Sequence, residues 1–240
     1  MRHIPNFITS LNLTSGFIAI ILASRGDLTS ASWLILAAMV FDFLDGYSAR
    51  MLKAYSATGK ELDSLADIVS FGVAPAFLMH TLLSSALGTG GGSDVQAGSR
   101  LMFLAFVVPA IMPVCAGIRL AVFNLDTTQT TSFKGLPTPA NAIAVISVVI
   151  ASSVSDSGLL QWFTGSPAAL MIYTVILSLL MVSRLPLLSL KFRDLQYKGN
   201  EPRYILAAVV IVSIAVLGLR SAPLIIPFYI IISVLMRKSI

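Results

Sequence analysis

An all-α, polytopic helical bundle embedded in a membrane is the fold class this sequence predicts, on three observations. Hydrophobic residues make up 56% of the 240 positions and charged ones only 11%, about half the charged share of an ordinary soluble domain. The mean hydropathy is +0.88, more apolar character than one globular core can hide. The apolar residues fall in long runs divided by polar punctuation. In lipid every backbone N–H and C=O must be bonded within the chain, so such runs read as helices rather than as the alternating strands of a barrel.

About eight spans are expected. A short amphipathic helix bearing Ile4, Phe7 and Ile8 leads into the first, about 11–24. Phe17 to Ala23 behind Arg2 has the look of a signal core, but Asn6, Thr9, Asn12 and Thr14 interrupt its approach, so a retained span is expected. The second and third spans cover about 31–53 and 62–87. A Gly- and Ser-rich loop, Gly88 to Ser99, follows; it lacks the Lys-Ser/Thr ending of a phosphate loop and reads as a linker. Further spans are expected at about 100–123, 138–155 and 167–189. A basic connector, Lys191 to Arg203, leads to a final pair at about 204–219 and 222–236, the last of them weakened by Pro223 and Pro227. The expected division is a main unit over 1–190 and the connector with its helix pair over 191–240.

The net charge of +5 sits at span ends, not along a basic face, which argues for topology and anionic headgroups and against nucleic acid. Thirteen of the 16 Lys and Arg residues fall on one side of the expected spans, and only Arg25, Arg100 and Arg220 on the other. By the positive-inside rule both termini, and the turn between the second and third spans, face the cytoplasm. The single cysteine, Cys115, excludes an internal disulfide and reads as a packed apolar side chain, as His80 does on its apolar helix.

Against this charge-poor background, Asp42, Asp45, Asp63 and Asp67 crowd into FDFLDGYSARMLKAYSATGKELDSLAD. A carboxylate at mid-membrane costs about 2.5–3.5 kcal/mol on insertion scales, so four together call for compensating cations. Asp42 and Asp45 share a face of one helix, and Asp63 and Asp67 share a face of the next, so a turn between antiparallel helices brings the pairs together. Hard oxygen ligands favour Mg²⁺ or Mn²⁺, and a pair of ions would suit a phosphate-bearing substrate. Gly46, Ala49 and Gly59 leave room for a flat or phosphorylated ligand, and Arg50 is placed to pair with a phosphate or an aspartate. Carboxylates in a membrane also suit a divalent-cation transporter, but both pairs lie toward one face, whereas a transporter needs access from two.

The spacing Asp42-x2-Asp45-Gly46-x2-Ala49-Arg50-x8-Gly59-x3-Asp63-x3-Asp67 resembles the full signature of the CDP-alcohol phosphatidyltransferases. The resemblance implies a homodimeric membrane enzyme with a six-helix core and a dimetal site. It would transfer a phosphatidyl or related group from a CDP-linked donor to an acceptor hydroxyl and release CMP. By motif position, Asp42, Asp45, Asp63 and Asp67 would ligate metal and Asp67 would also act as general base. Gly46, Ala49 and Gly59, with Arg50 beside them, would hold the CDP moiety.

Three further stretches resemble the serine-using branch of that family: Ile4-Pro5-Asn6 with Thr9 and Asn12, Ser70-Phe71-Gly72-Val73-Ala74-Pro75-Ala76, and Phe133-Lys134-Gly135-Leu136-Pro137-Thr138-Pro139-Ala140. They imply CDP-diacylglycerol and L-serine as substrates, with glycerol 3-phosphate or an inositol phosphate as the alternative acceptors. Arg119-Leu120-Ala121-Val122-Phe123-Asn124 resembles the same branch but departs at Val122, where a second basic residue is expected. Arg119 is the first candidate for the serine carboxylate or a donor phosphate, and Lys134 the second.

Overall fold

The computed structural model describes residues 3–88, 100–126, 132–155, 157–188 and 200–236. Arg2, most of the Gly88–Ser99 loop, most of the basic connector with the expected boundary near 190, and the C-terminal Arg237 and Lys238 lie outside the described residues.

Helix α1 spans Ile4–Ser24 without a break, so the short leading helix and first span expected separately are one element. Pro5 sits in its first turn, where a missing N–H costs nothing. Helix α2, Leu28–Met51, starts at an Asp27 cap that accepts from the Ser30 N–H at 3.0 Å. Lys53, with φ +50, turns the chain just past its end. Helix α3, Ala57–Asp67, begins at Ser56, whose Oγ accepts from the Gly59 N–H at 2.9 Å. It runs through a π-helical segment, Ile68–Val73, into α4, Ala74–Ala86. The third span therefore begins five residues before the expected 62.

Helix α5, Arg100–Leu125, carries Pro109 and Pro113 in its interior. Helix α6 spans Thr138–Val154. The sixth expected span needs the largest correction. A short α7, Gly158–Gly165, meets α8, Pro167–Val182, at a bend of 82°. The helix stops at Val182 and does not reach 189, because Ser183 is extended and the residue preceding Pro186 is pushed out of the helical region. Pro186–Leu188 instead forms strand β2, antiparallel to β1, Ser132–Lys134. This two-stranded ribbon is absent from the all-helical expectation.

At the C-terminus, α9, Glu201–Leu217, is followed by a 3₁₀ turn, Gly218–Leu224, and α10, Ile225–Leu235. Gly218 adopts φ +62 and ψ −151, a conformation open to glycine, and α10 packs back on α9. Eight full-length spans are not what the described residues hold. Five helical stretches are long and apolar enough to cross a membrane, Glu201–Leu235 counted as one, and the bent α7–α8 pair makes six. Helix α6, at 17 residues, is shorter. The chain is a multi-pass membrane bundle.

Its centre is where α1, α2, the π segment, α5 and α6 meet. Ala19, Ala23, Ala31 and Ala38 are fully buried and let α1 and α2 pack closely, as helices in lipid do through small residues. Phe71, Ile35 and Met79 fill the middle. Gly135, at φ +80, passes so close to α8 that a Cβ would stand 2.5 Å from the Met181 carbonyl oxygen. That close approach fixes where the ribbon leaves the bundle.

Candidate active site

Helices α2 and α3, joined by the Leu52–Ser56 turn and both packed on α1, bring the aspartates together. Carboxylate oxygens of Asp42, Asp63 and Asp67 all lie within 4.8 Å of one another. Asp63 Oδ1 is buried without a hydrogen-bond partner among the described residues. An orphaned acceptor among converging hard oxygens suits a divalent cation, so the residues present fit the implied metal. Asp45 stands beside this group rather than within it. Its Oδ2 accepts from Thr9 Oγ1 at 2.6 Å, the length of a charge-assisted bond, and the residue is 5% exposed. Asn12 Nδ2 donates to Asp67 Oδ1 at 3.4 Å, a long contact, and Ser70 Oγ donates to the Asn12 carbonyl at 3.0 Å. Helix α1 thus steadies one aspartate from each pair.

A cleft of about 190 Å³ opens alongside. Its walls are Pro5, Asn6 and Thr9 from α1, Asp45, Gly46 and Ala49 from α2, Ala54, Tyr55 and Ser56 from the turn, and Gly59, Lys60 and Asp63 from α3. Small-molecule pockets usually exceed about 300 Å³, so this one seats a ring and its nearest polar groups, not a whole nucleotide-lipid. The two glycines serve it differently. A Cβ on Gly46 would meet nothing within 4 Å, so the folded chain does not demand glycine there and the space is left for a ligand. A Cβ on Gly59 would stand 2.9 Å from Ser56 Oγ and 3.0 Å from Asn6 Oδ1, so that glycine lets α3 approach α1.

The basic candidates separate. Arg50 is exposed and lies off the cleft wall, whereas Lys60 lines it and donates to the Asn124 carbonyl at 3.1 Å. Arg119, 8% exposed on α5, has its guanidinium 5.6 Å from the centre of the Phe123 ring and lies within electrostatic range of Asp67 and Tyr229. Lys134 is 53% exposed and forms a 2.8 Å ion pair with Asp126. Val122 points outward from α5, so the departure from the branch pattern there removes no group from the interior. His80 packs between Phe77 and Phe106 with Nδ1 3.0 Å from the Ala105 carbonyl, and Cys115 is a buried free thiol, both as expected.

Tyr55 and Ser56 carry no expected role although they lie inside the signature itself, and Lys60 was legible only as a charge near the aspartates. Thr9 and Asn12 were visible as polar residues three apart on an apolar helix, without a partner to assign them. Tyr229 carried no local signal: one tyrosine in the run Ile225 to Leu235 is unremarkable until the fold brings it to the Leu188 carbonyl.

Known proteins resemble this chain over most of its length. The family model described as CDP-alcohol phosphatidyltransferase matches residues 2–182. A CDP-diacylglycerol–serine O-phosphatidyltransferase from Mycobacterium leprae is 32% identical over 98% of this chain and 73% of its own length. The Bacillus subtilis protein of the same name is 36% identical over 77% of this chain and 89% of its own. An archaetidylserine synthase from Methanothermobacter thermautotrophicus is 32% identical over 64% of this chain and 60% of its own. With its acidic group, open cleft and signature in register, the chain belongs to the CDP-alcohol phosphatidyltransferase family.

Proposed function

We propose that this protein transfers the phosphatidyl group of CDP-diacylglycerol to the hydroxyl of L-serine, giving phosphatidylserine and CMP. The observation that carries the reading is the convergence of Asp42, Asp63 and Asp67 beside a cleft whose Gly46 wall is open. Relatives named for serine transfer, at 30–36% identity, support the acceptor.

In this reading the cleft receives the cytidine end of the donor. Gly46, Ala49 and Gly59 keep its walls low, and Lys60 offers a cation to the diphosphate. Two Mg²⁺ or Mn²⁺ ions, held by Asp42, Asp45, Asp63 and Asp67, would neutralise the diphosphate and make its phosphorus easier to attack. The bond from Thr9 orients Asp45 without exhausting its lone pairs. Asp67, steadied by Asn12, takes the proton from the serine hydroxyl as that oxygen bonds to phosphorus and the bond to CMP breaks. Arg119, within electrostatic range of Asp67, pairs with the serine carboxylate, while Arg50 and Lys134 serve from the periphery. The charge bias of the sequence supports a site open to the cytoplasmic face of the cell membrane, and the family resemblance supports a homodimer.

The test supplies purified protein with CDP-diacylglycerol and labelled serine, glycerol 3-phosphate or inositol phosphate. Divalent-dependent CMP release with phosphatidylserine as the product is the expected result. Exclusive use of a phosphorylated acceptor would move the assignment within the family. Cation uptake by proteoliposomes without CMP release would end it.

A further inference from the structure

The C-terminal hairpin lies beyond residue 182, where the family match ends, yet it reaches the acceptor side of the site. Tyr229 and Ser233 lie four apart on α10, on one face, and are 4% and 0% exposed. Tyr229 Oη donates to the Leu188 carbonyl at 2.8 Å. Ser233 Oγ gives its own proton to the Tyr229 carbonyl at 2.7 Å and accepts the Leu188 N–H at 3.1 Å. Both backbone polar groups of one β2 residue are thereby taken by side chains of α10.

Leu188 is the register partner of Ser132, and Pro186 that of Lys134. The same ribbon is tied to α8 by the Leu136 N–H on the Leu180 carbonyl and closed by the Gly135 N–H on the Leu185 carbonyl, each at 2.9 Å. Tyr229 also lies within electrostatic range of Arg119, as Asp67 does. An unpaired tyrosine hydroxyl in an apolar helix is costly, so these bonds fix the place of α10 against the ribbon.

We propose that Tyr229 and Ser233 are positioning residues for the acceptor side: α10 clamps β2, and through it the β1 segment, on the side where Tyr229 comes within electrostatic range of Arg119, so that the hairpin belongs to the catalytic unit. The choice of serine as the substrate readout rests on the function proposed above; the clamp itself does not.

The experiment uses full-length protein in detergent or nanodiscs with the variants Y229F, S233A and R119A and the double variant Y229F/R119A. Hydrogen exchange read by mass spectrometry should show roughly tenfold faster exchange in peptides over 132–136 and 184–188 for Y229F and S233A. In the same variants the KM for serine should rise roughly fivefold, the size expected for one lost buried hydrogen bond, with the KM for CDP-diacylglycerol within about twofold of wild type. Adding Y229F to R119A should raise the serine KM by less than it does alone, because in this proposal Tyr229 acts on the acceptor side that Arg119 serves. Unchanged exchange in both peptides, equal shifts in the two KM values, or fully additive effects with R119A would each overturn the proposal. If the wild type does not use serine, the functional reading falls, and the exchange comparison still decides the clamp.

Discussion

The two sides proposed for this site, one for the donor and one for the acceptor, are built in different ways. The proposed donor side comes from one continuous stretch, Asp42 to Asp67, folded as the end of α2, a turn and α3, with α1 packed against both helices. The proposed acceptor side would gather Arg119 from α5, the β1–β2 ribbon and Tyr229 from α10, which are separated by up to 110 positions. Short-range construction leaves its chemistry in the spacing of residues, whereas long-range construction leaves it in the packing. Substitutions on the two sides should therefore fail in different currencies, donor binding and turnover on one, acceptor affinity on the other.

The largest effect falls on Asp67. Asp67→Asn keeps the shape and the contact with Asn12 but cannot take a proton. Turnover should drop by about 10²–10⁴-fold while CDP-lipid binding, read by isothermal titration, remains detectable. Chelation of divalent ions should abolish turnover in the wild type, and Mg²⁺ or Mn²⁺ should restore it. Turnover by Asp67→Asn near the wild-type level would remove the base assignment and leave Asp67 as a ligand only.

Next in size is Thr9→Val, which deletes the 2.6 Å bond to Asp45 with little change in volume. Loss of an outer partner of a ligating carboxylate typically costs 10–100-fold in metal affinity or activity. The divalent concentration needed for half-maximal rate should rise by about tenfold or more. An unchanged requirement would mean that Asp45 does not share in holding metal.

The paired glycines sharpen the contrast within the donor side. Gly46→Leu projects into open cleft, so thermal stability should hold while the KM for CDP-diacylglycerol rises by at least about tenfold, the loss of roughly one good contact's worth of binding. Gly59→Ala meets Ser56 Oγ and Asn6 Oδ1 at 2.9 and 3.0 Å, so the turn must shift and the melting temperature should fall by a few degrees, about 1 kcal/mol. The reverse pattern would exchange the roles given to the two positions.

The same division governs how much could be read before the structure. The aspartate pairs were legible because helical periodicity places residues three and four apart on one face. Thr9 and Asn12 were legible as polar residues on an apolar helix, and only tertiary packing could assign Thr9 to Asp45 and Asn12 to Asp67. Leu185 to Leu190 misled because a short apolar run has no periodicity to separate strand from helix, and Pro186 was the signal against a helix there. Nothing near β1 in sequence announces that its partner strand begins 52 positions later at Pro186.

The smallest expected effect tests the weakest of the basic assignments. Lys134 is half in solvent and already paired with Asp126 at 2.8 Å. An exposed ion pair contributes less than about 1 kcal/mol and is screened by salt. If Lys134 acts only through that pair, Lys134→Ala should change the serine KM by less than about threefold, and Asp126→Asn should do the same. Raising the ionic strength should narrow even that difference between variant and wild type. If Lys134 instead pairs with the serine carboxylate during turnover, Lys134→Ala should raise the serine KM while Asp126→Asn, which removes a competing carboxylate, should lower it. Opposite signs in the two variants would carry Lys134 from the surface into the acceptor site, and equal small shifts would leave Arg119 as its cation.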